Sequence, residues 1–138
     1  MTPEESRTKE LFSLSVGELA KELQGRVVIS EDQSTKVKFV SLEAWPKEKI
    51  GKRYQAMENM EPGTLWAYYF AFRQIMQTLI VAKDQEKSGA CVRVLHSEGF
   101  KREGDTAKQL GLSHNETTRL AFRDQSELLY LEKITKSI

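Results

Sequence analysis

Three long apolar runs stand close together in the middle of the chain and constrain the fold more than any other feature. They cover residues 64–72, 75–82 and 90–96, and short polar segments separate them. Runs of this kind, rich in β-branched and aromatic side chains and bounded by turn residues, are typical of strands. The sequence therefore predicts three neighbouring β-strands.

A helix and a further pair of strands are predicted upstream. The segment SVGE matches the S-x-x-E capping box, and apolar residues recur at helical spacing after it, so a helix is expected over 15–24. Residues 26–30 and 36–45 are β-branched and aromatic, and the turn-like EDQST separates them. This arrangement predicts a hairpin.

The remaining segments predict short helices and a last strand. Residues 46–61 are charged and lack clean periodicity, which indicates a loop with at most one helical turn. A helix is expected over 105–112, a second short helix over 115–122, and a strand over 127–134. The order of elements predicts an α+β fold, a curved antiparallel sheet with a few short surrounding helices.

Length and composition fit one packed domain. A chain of 138 residues with 39% hydrophobic and 30% charged residues resembles an ordinary globular protein and can bury one core. The polar residues 1–10 are expected to form a flexible tail, and residues 11–138 a single domain. A monomer is expected.

The residue inventory weighs against several kinds of site. Cys91 is the single cysteine, so no intramolecular disulfide can form. The two histidines and this cysteine lack metal-ligand spacing, and no glycine-rich phosphate loop occurs, so neither a metal nor a cofactor is expected. No signal-like or membrane-spanning run occurs, which favours the nucleus of a eukaryote or otherwise the cytoplasm, without membrane association.

One carboxylate stands at the end of the second predicted strand. Because side chains alternate along a strand, Glu43 and Trp45 project to the same side. Four rings share one face of a later strand: Trp66, Tyr68, Phe70 and Phe72. Such a stripe can stack nucleobases or can be hydrophobic core, and a strand-end acid can be a solvated surface group. Rings beside an acid can also hold a planar group between them while the acid activates a water molecule.

Five segments occur in an order that points to one known family. SVGELAKELQGRVV, VSLEAW, EPGTLWAYYF, SGACVRVLHSEG and GDTAKQLGL follow one another across about residues 12–132. In this order the chain resembles the alkyladenine DNA glycosylases, also called 3-methyladenine DNA glycosylases. The resemblance implies hydrolysis of the N-glycosidic bond of alkylated or deaminated purines, after base flipping, at the start of base excision repair. Damaged DNA, duplex or single-stranded, is then the expected partner.

The resemblance assigns roles by position. Glu43 matches the family's general base, and Trp45 stands where the family has a tyrosine that stacks on the flipped base. Tyr68 matches the tyrosine on the opposite side of that base. Two further substrate contacts are implied with changes, because Thr78 replaces a selectivity-determining asparagine and Arg93 stands two residues before the position of the family's arginine.

Other positions depart from the family pattern. The loop after Trp45 is shorter and lacks the family's base-contacting histidine. At the tip of the next hairpin, Ala71 replaces the tyrosine inserted into DNA, so Phe70 or Phe72 is the alternative wedge, with Arg73 beside them as a DNA contact. A non-catalytic DNA-binding relative, or a protein-interaction scaffold of the same fold, is the alternative function.

Overall fold

The computed structural model describes residues 1–83 and 90–134, and these contain five helices and seven strands. The helices are α1 (Pro3–Leu11), α2 (Val16–Leu23), α3 (Lys47–Ile50), α4 (Arg53–Met57) and α5 (Glu103–Gln109). The strands are β1 (Val27–Ile29), β2 (Lys36–Trp45), β3 (Thr64–Phe70), β4 (Ile75–Ala82), β5 (Ala90–Ser97), β6 (Thr117–Ala121) and β7 (Leu129–Lys133).

The strands form one sheet that closes into a barrel in the order β1-β2-β5-β4-β3-β6-β7. Closure comes from a parallel pairing of β1 with β7, in which Val28 lies opposite Leu129. The other neighbouring strands pair antiparallel. The prediction of an α+β chain with short helices is confirmed, whereas the curved sheet is corrected to a closed barrel.

Side chains of the barrel divide into two hydrophobic clusters. The first fills the interior, because all seven strands contribute to it, with Val28, Phe39, Leu65, Ile80, Val92, Leu120 and Leu129 among its members. The second lies on the outer face of β2, β5, β4 and β3 and contains Trp45, Ile50, Met57, Trp66, Leu79, Val81 and Cys91. Ile50 from α3 and Met57 from α4 cover this outer cluster.

Several predicted elements agree with the structure. The helix expected over 15–24 is α2, which begins with the Ser15 hydroxyl accepting a hydrogen bond from the Glu18 backbone N–H. The expected hairpin is the β1–β2 pair, and the three central strands are β3, β4 and β5. Residues 46–61 contain two short helices, α3 and α4, where a loop with at most one helical turn is predicted.

Two local predictions differ from the structure. The second short helix expected over 115–122 is wrong, because this segment forms strand β6 with Thr118 and Leu120 buried. Helix α1 stands where a flexible tail is expected over residues 1–10. Thr2 and Glu5 form a capping box at its start, which satisfies two backbone N–H groups. Within the described residues, no helix is long and apolar enough to cross a membrane.

Candidate functional site

Four of the predicted site residues lie on the outer face of the barrel, beneath α3 and α4. Glu43 on β2 lies opposite Arg93 on β5, and Arg93 lies opposite Leu79 on β4. Trp45 is two residues beyond Glu43 and shares its side of the strand. Tyr68 packs against the same outer cluster as Trp45. Strand register therefore brings Glu43, Trp45, Tyr68 and Arg93 to one surface.

The Glu43 carboxylate is held by three neighbours. The indole Nε1 of Trp45 donates a hydrogen bond to Oε2 over 3.0 Å. Lys49 Nζ lies 3.7 Å from Oε1, and Arg93 Nη1 lies 3.7 Å from Oε2. The Glu43 side chain is still 35% exposed. A water molecule can therefore reach a carboxylate whose orientation is fixed.

Arg93 is itself oriented by a second acid, Glu103, at the start of α5. Its Nε and Nη2 each donate to one Glu103 carboxylate oxygen over 2.5 Å, a two-pronged pairing that fixes the plane of the guanidinium. These hydrogen bonds raise the pKa of Arg93 above its ordinary value, although burial opposes the rise. The guanidinium carbon lies 4.8 Å from the centre of the Trp45 ring. The sequence pattern gives no sign of Glu103, which follows Arg93 by ten residues and belongs to α5.

A second arginine, Arg53, lies over the rings predicted to stack on a base. Its guanidinium carbon is 5.3 Å from the centre of the Trp45 ring, 4.6 Å from that of Tyr68 and 5.2 Å from that of Phe70. Its Nη1 donates to the Ile50 carbonyl over 3.1 Å. Among the described residues, its buried Nε finds no hydrogen-bond partner. In the sequence Arg53 is one of four cations in residues 47–53, with Lys47, Lys49 and Lys52, and its spacing does not distinguish it from them.

The predicted selectivity residue Thr78 lies on the other side of the sheet. It is fully buried opposite Ala67 and Val94, which belong to the interior cluster. Gln77, one residue earlier, takes the position opposite Tyr68 and is 3% exposed. Its side-chain carbonyl oxygen has no hydrogen-bond partner in the described part of the chain. The structure therefore does not bring Thr78 into the site and brings Gln77 there instead.

The predicted DNA-contacting residues form the tip of the β3–β4 hairpin. Phe70 ends β3, and the turn that follows contains Ala71, Phe72 and Arg73, all exposed. Ring centres along the hairpin are spaced at 4.9 Å from Trp66 to Tyr68, 6.4 Å from Tyr68 to Phe70 and 6.2 Å from Phe70 to Phe72. The Phe72 side chain is the exposed end of this row, at 88%.

Two other features bear on the chemistry of the site. Burial raises the pKa of the Cys91 thiol to about 12, so this thiol is not a nucleophile at neutral pH. Within the described residues, no group of three or more His, Cys, Asp or Glu side chains is arranged to hold a metal ion.

A separate groove of about 560 Å³, lined by Phe12 and Phe122 among others, contains none of the predicted site residues.

Comparison with known proteins identifies no protein similar to this chain. A scan against family models, a search of curated proteins and a search of solved structures each found no match to this chain.

Proposed function

We propose that this chain is a DNA glycosylase that hydrolyses the N-glycosidic bond of alkylated or deaminated purines after base flipping, and so initiates base excision repair. The observation that supports this proposal most is the convergence of Glu43, Trp45 and Tyr68 with Arg93 on one outer face. A hydrolase of this kind needs a carboxylate open to water beside flat rings that can hold a base.

The reaction assigns Glu43 the role of general base. Glu43 accepts a proton from a water molecule while the water oxygen attacks C1′ of the flipped nucleotide. The bond between C1′ and the base nitrogen breaks, and its electron pair leaves with the base. A cationic N-alkylated purine thus departs neutral, and a deaminated purine takes up a proton from solvent. The other product is an abasic sugar with a hydroxyl group at C1′.

Neighbouring side chains would position the reacting groups. The hydrogen bond from Trp45 Nε1 and the nearby cations of Lys49 and Arg93 hold the Glu43 carboxylate in one orientation. Glu103 in turn keeps Arg93 in place, so that its guanidinium presents a fixed positive charge beside the Trp45 ring. Orientation of this kind lowers the reorganisation that the reaction needs.

The hairpin tip supports the assignment of DNA as the substrate. Phe72 is almost fully exposed, and Arg73 follows it directly. Apolar side chains inserted between base steps unstack and kink a duplex, and neighbouring cations contact phosphates. Phe72 therefore takes the wedge role that Ala71 lacks the side chain to fill.

One observation favours a second candidate, a non-catalytic DNA-binding relative. The guanidinium of Arg53 already lies over the rings of Trp45, Tyr68 and Phe70, where a base would stack. A protein that kept these contacts permanently would bind DNA through its exposed hairpin without admitting a nucleotide to Glu43.

Replacement of Glu43 by glutamine separates the two candidates. Glu43→Gln keeps the shape of the side chain and removes the base, so single-turnover excision of hypoxanthine or ethenoadenine should fall about 10²- to 10⁴-fold. Abasic sites are counted by alkaline cleavage of labelled duplex and single-stranded oligonucleotides. Affinity for the same DNA should stay equal or rise, because a negative charge near phosphates is lost.

The matched control is Glu48→Gln, which makes the same change in charge at an exposed position of α3. This variant should keep the wild-type excision rate. If wild type releases no base from any substrate but binds lesion-containing DNA, the non-catalytic candidate replaces the enzyme. If it does not bind such DNA either, both candidates are wrong.

A further inference from the structure

We propose that Arg53 occupies, in the free protein, the position that a flipped base takes against Trp45 and Tyr68, so that a nucleotide enters only by displacing this guanidinium. Arg53 would then be a specificity-determining residue of the site. The identity of the ligand as a nucleobase rests on the proposed function, whereas the occupancy of the site rests on the contacts of Arg53 alone.

The guanidinium of Arg53 contacts three aromatic rings of the site. All three distances from its carbon to the ring centres, between 4.6 and 5.3 Å, lie within the range of a cation–π interaction. A guanidinium is planar and stacks on aromatic faces, as a nucleobase does. Trp45 itself is only 7% exposed, and Arg53 covers its ring together with Arg93 and the outer cluster.

Two buried polar atoms beside Tyr68 are available to pair with a ligand. The Oε1 atom of Gln77 and the Nε atom of Arg53 lack hydrogen-bond partners among the described residues, and Gln77 is 3% exposed. Buried polar groups in folded proteins are nearly always paired, and each unpaired one carries a cost. A nucleobase edge carries hydrogen-bond donors that can satisfy Gln77, and a displaced Arg53 regains water or a phosphate for its Nε.

The local structure allows Arg53 to leave. Within the described residues no carboxylate forms an ion pair with Arg53, and one hydrogen bond holds its guanidinium, to the Ile50 carbonyl. Arg53 begins the five-residue helix α4, whose N-cap Lys52 makes no side-chain cap hydrogen bond. Displacement therefore breaks ring contacts and one hydrogen bond but no salt bridge.

Because Arg53 occupies the site, a base can bind only after the contacts of Arg53 with the rings are broken. The apparent affinity of a ligand equals its intrinsic affinity multiplied by the fraction of molecules whose site is open. A normal base must be unstacked at a cost in free energy and must also displace Arg53, whereas a damaged or unpaired base leaves the stack more easily. Arg53 should therefore favour bases that are already loosened.

The first test measures how far Arg53 shields Trp45. In a Trp66→Phe background, where Trp45 is the remaining tryptophan, Arg53→Ala should raise the acrylamide quenching constant of its fluorescence. Lys52→Ala, which removes a neighbouring exposed cation, should leave the constant unchanged. Arg53→Gln has a shorter side chain that does not reach the rings, so it should also raise the quenching constant. This variant is used in place of Arg53→Ala if circular dichroism shows that Arg53→Ala is unfolded. Equal quenching in the Arg53 and Lys52 variants would overturn the proposal.

The second test measures binding of a base. Wild type, Arg53→Ala and Lys52→Ala are titrated with a single-stranded oligonucleotide carrying ethenoadenine and with the same strand carrying a tetrahydrofuran abasic analogue. In Arg53→Ala a base no longer has to displace the cation–π contacts of Arg53. The ratio of the affinity for the ethenoadenine strand to the affinity for the abasic strand should therefore rise about tenfold in Arg53→Ala and stay unchanged in Lys52→Ala.

The outcomes distinguish this proposal from the proposed function. A fall of that ratio in Arg53→Ala would overturn the proposal, because Arg53 would then be a contact to the bound base. If quenching responds as expected but no variant prefers ethenoadenine, a base as ligand and the proposed function are wrong, while Arg53 is still supported as the removable occupant.

Discussion

A single carboxylate, Asp32, organises the turn between β1 and β2. Its Oδ1 accepts hydrogen bonds from the hydroxyl groups of Ser30 and Ser34, each over 2.7 Å, and from the Ser34 backbone N–H over 3.0 Å. The bonds from Ser34 are the main reason that the pKa of Asp32 falls to about 2. This turn sets the register of the hairpin whose second strand carries Glu43.

Asp32→Asn should lower the melting temperature at pH 7, because the ionised form accepts stronger hydrogen bonds than an amide. The folded-state pKa lies below the ordinary value of 3.8, so the charge stabilises the fold above that value. As the pH falls from about 4 to about 2, this stabilisation is lost and the gap between variant and wild type should close. Circular dichroism melts across this range measure it.

Glu31→Gln is the control, since it removes a neighbouring exposed charge outside this network. It should leave the melting temperature nearly unchanged at both pH values. A gap for Asp32→Asn that widens in acid would contradict the assigned role of Asp32.

Strand alternation was enough to predict that Glu43 and Trp45 are neighbours, and their hydrogen bond agrees. It could not predict Arg53, Gln77 or Glu103. Arg53 reaches the rings from a short helix without clear periodicity, and Glu103 comes from α5. The resemblance matched Thr78 to a substrate contact by segment order, which does not fix the register of β3 against β4, and in the structure Thr78 lies opposite Ala67 of the interior cluster. The neighbourhood of a side chain depends on that register.

The β3–β4 hairpin carries its rings to an exposed tip. The opposite face of the hairpin is supported by Tyr69, whose ring stacks on His114 with centres 4.0 Å apart. The Tyr69 backbone N–H also donates to Asn115 Oδ1 over 3.1 Å. These contacts hold the end of β3 in place, whereas the Phe72 side chain beyond it is exposed to solvent.

Phe72→Ala should reduce excision from duplex DNA and leave excision from single strands nearly unchanged. A wedge offsets the cost of unstacking, which is a few kcal/mol per base step, so its loss should slow the duplex reaction about tenfold or more. Single strands need no such help. Single-turnover rates on matched duplex and single-stranded substrates with the same lesion measure the ratio.

Arg73→Ala provides the comparison at the adjacent exposed position. Loss of a phosphate contact should weaken binding of both substrates to a similar degree. An equal loss on duplex and single strand in Phe72→Ala would show that Phe72 is a general contact and not a wedge.

Sequence patterns predict most elements of this chain but not how its sheet closes into a barrel. The periodicity of separate segments identifies strands and helices. Closure depends on a parallel pairing between β1 and β7, whose residues Val28 and Leu129 are far apart in the chain. Such a pairing leaves no turn motif in the sequence. Segment 115–122 was assigned to a helix for a related reason, since its strand character depends on β3 and β7 as neighbours.

Leu129→Ala tests this closure, because Leu129 is fully buried in the interior cluster on the closing strand. Removal of its side chain from a packed core should lower the free energy of unfolding by about 2 to 5 kcal/mol. At the edge of an open sheet the same side chain would be partly solvated, and the loss would be smaller. Val40→Ala, at a strand position 37% exposed, should cost less than about 1 kcal/mol. Urea unfolding measures both losses, and equal small losses would contradict a closed barrel.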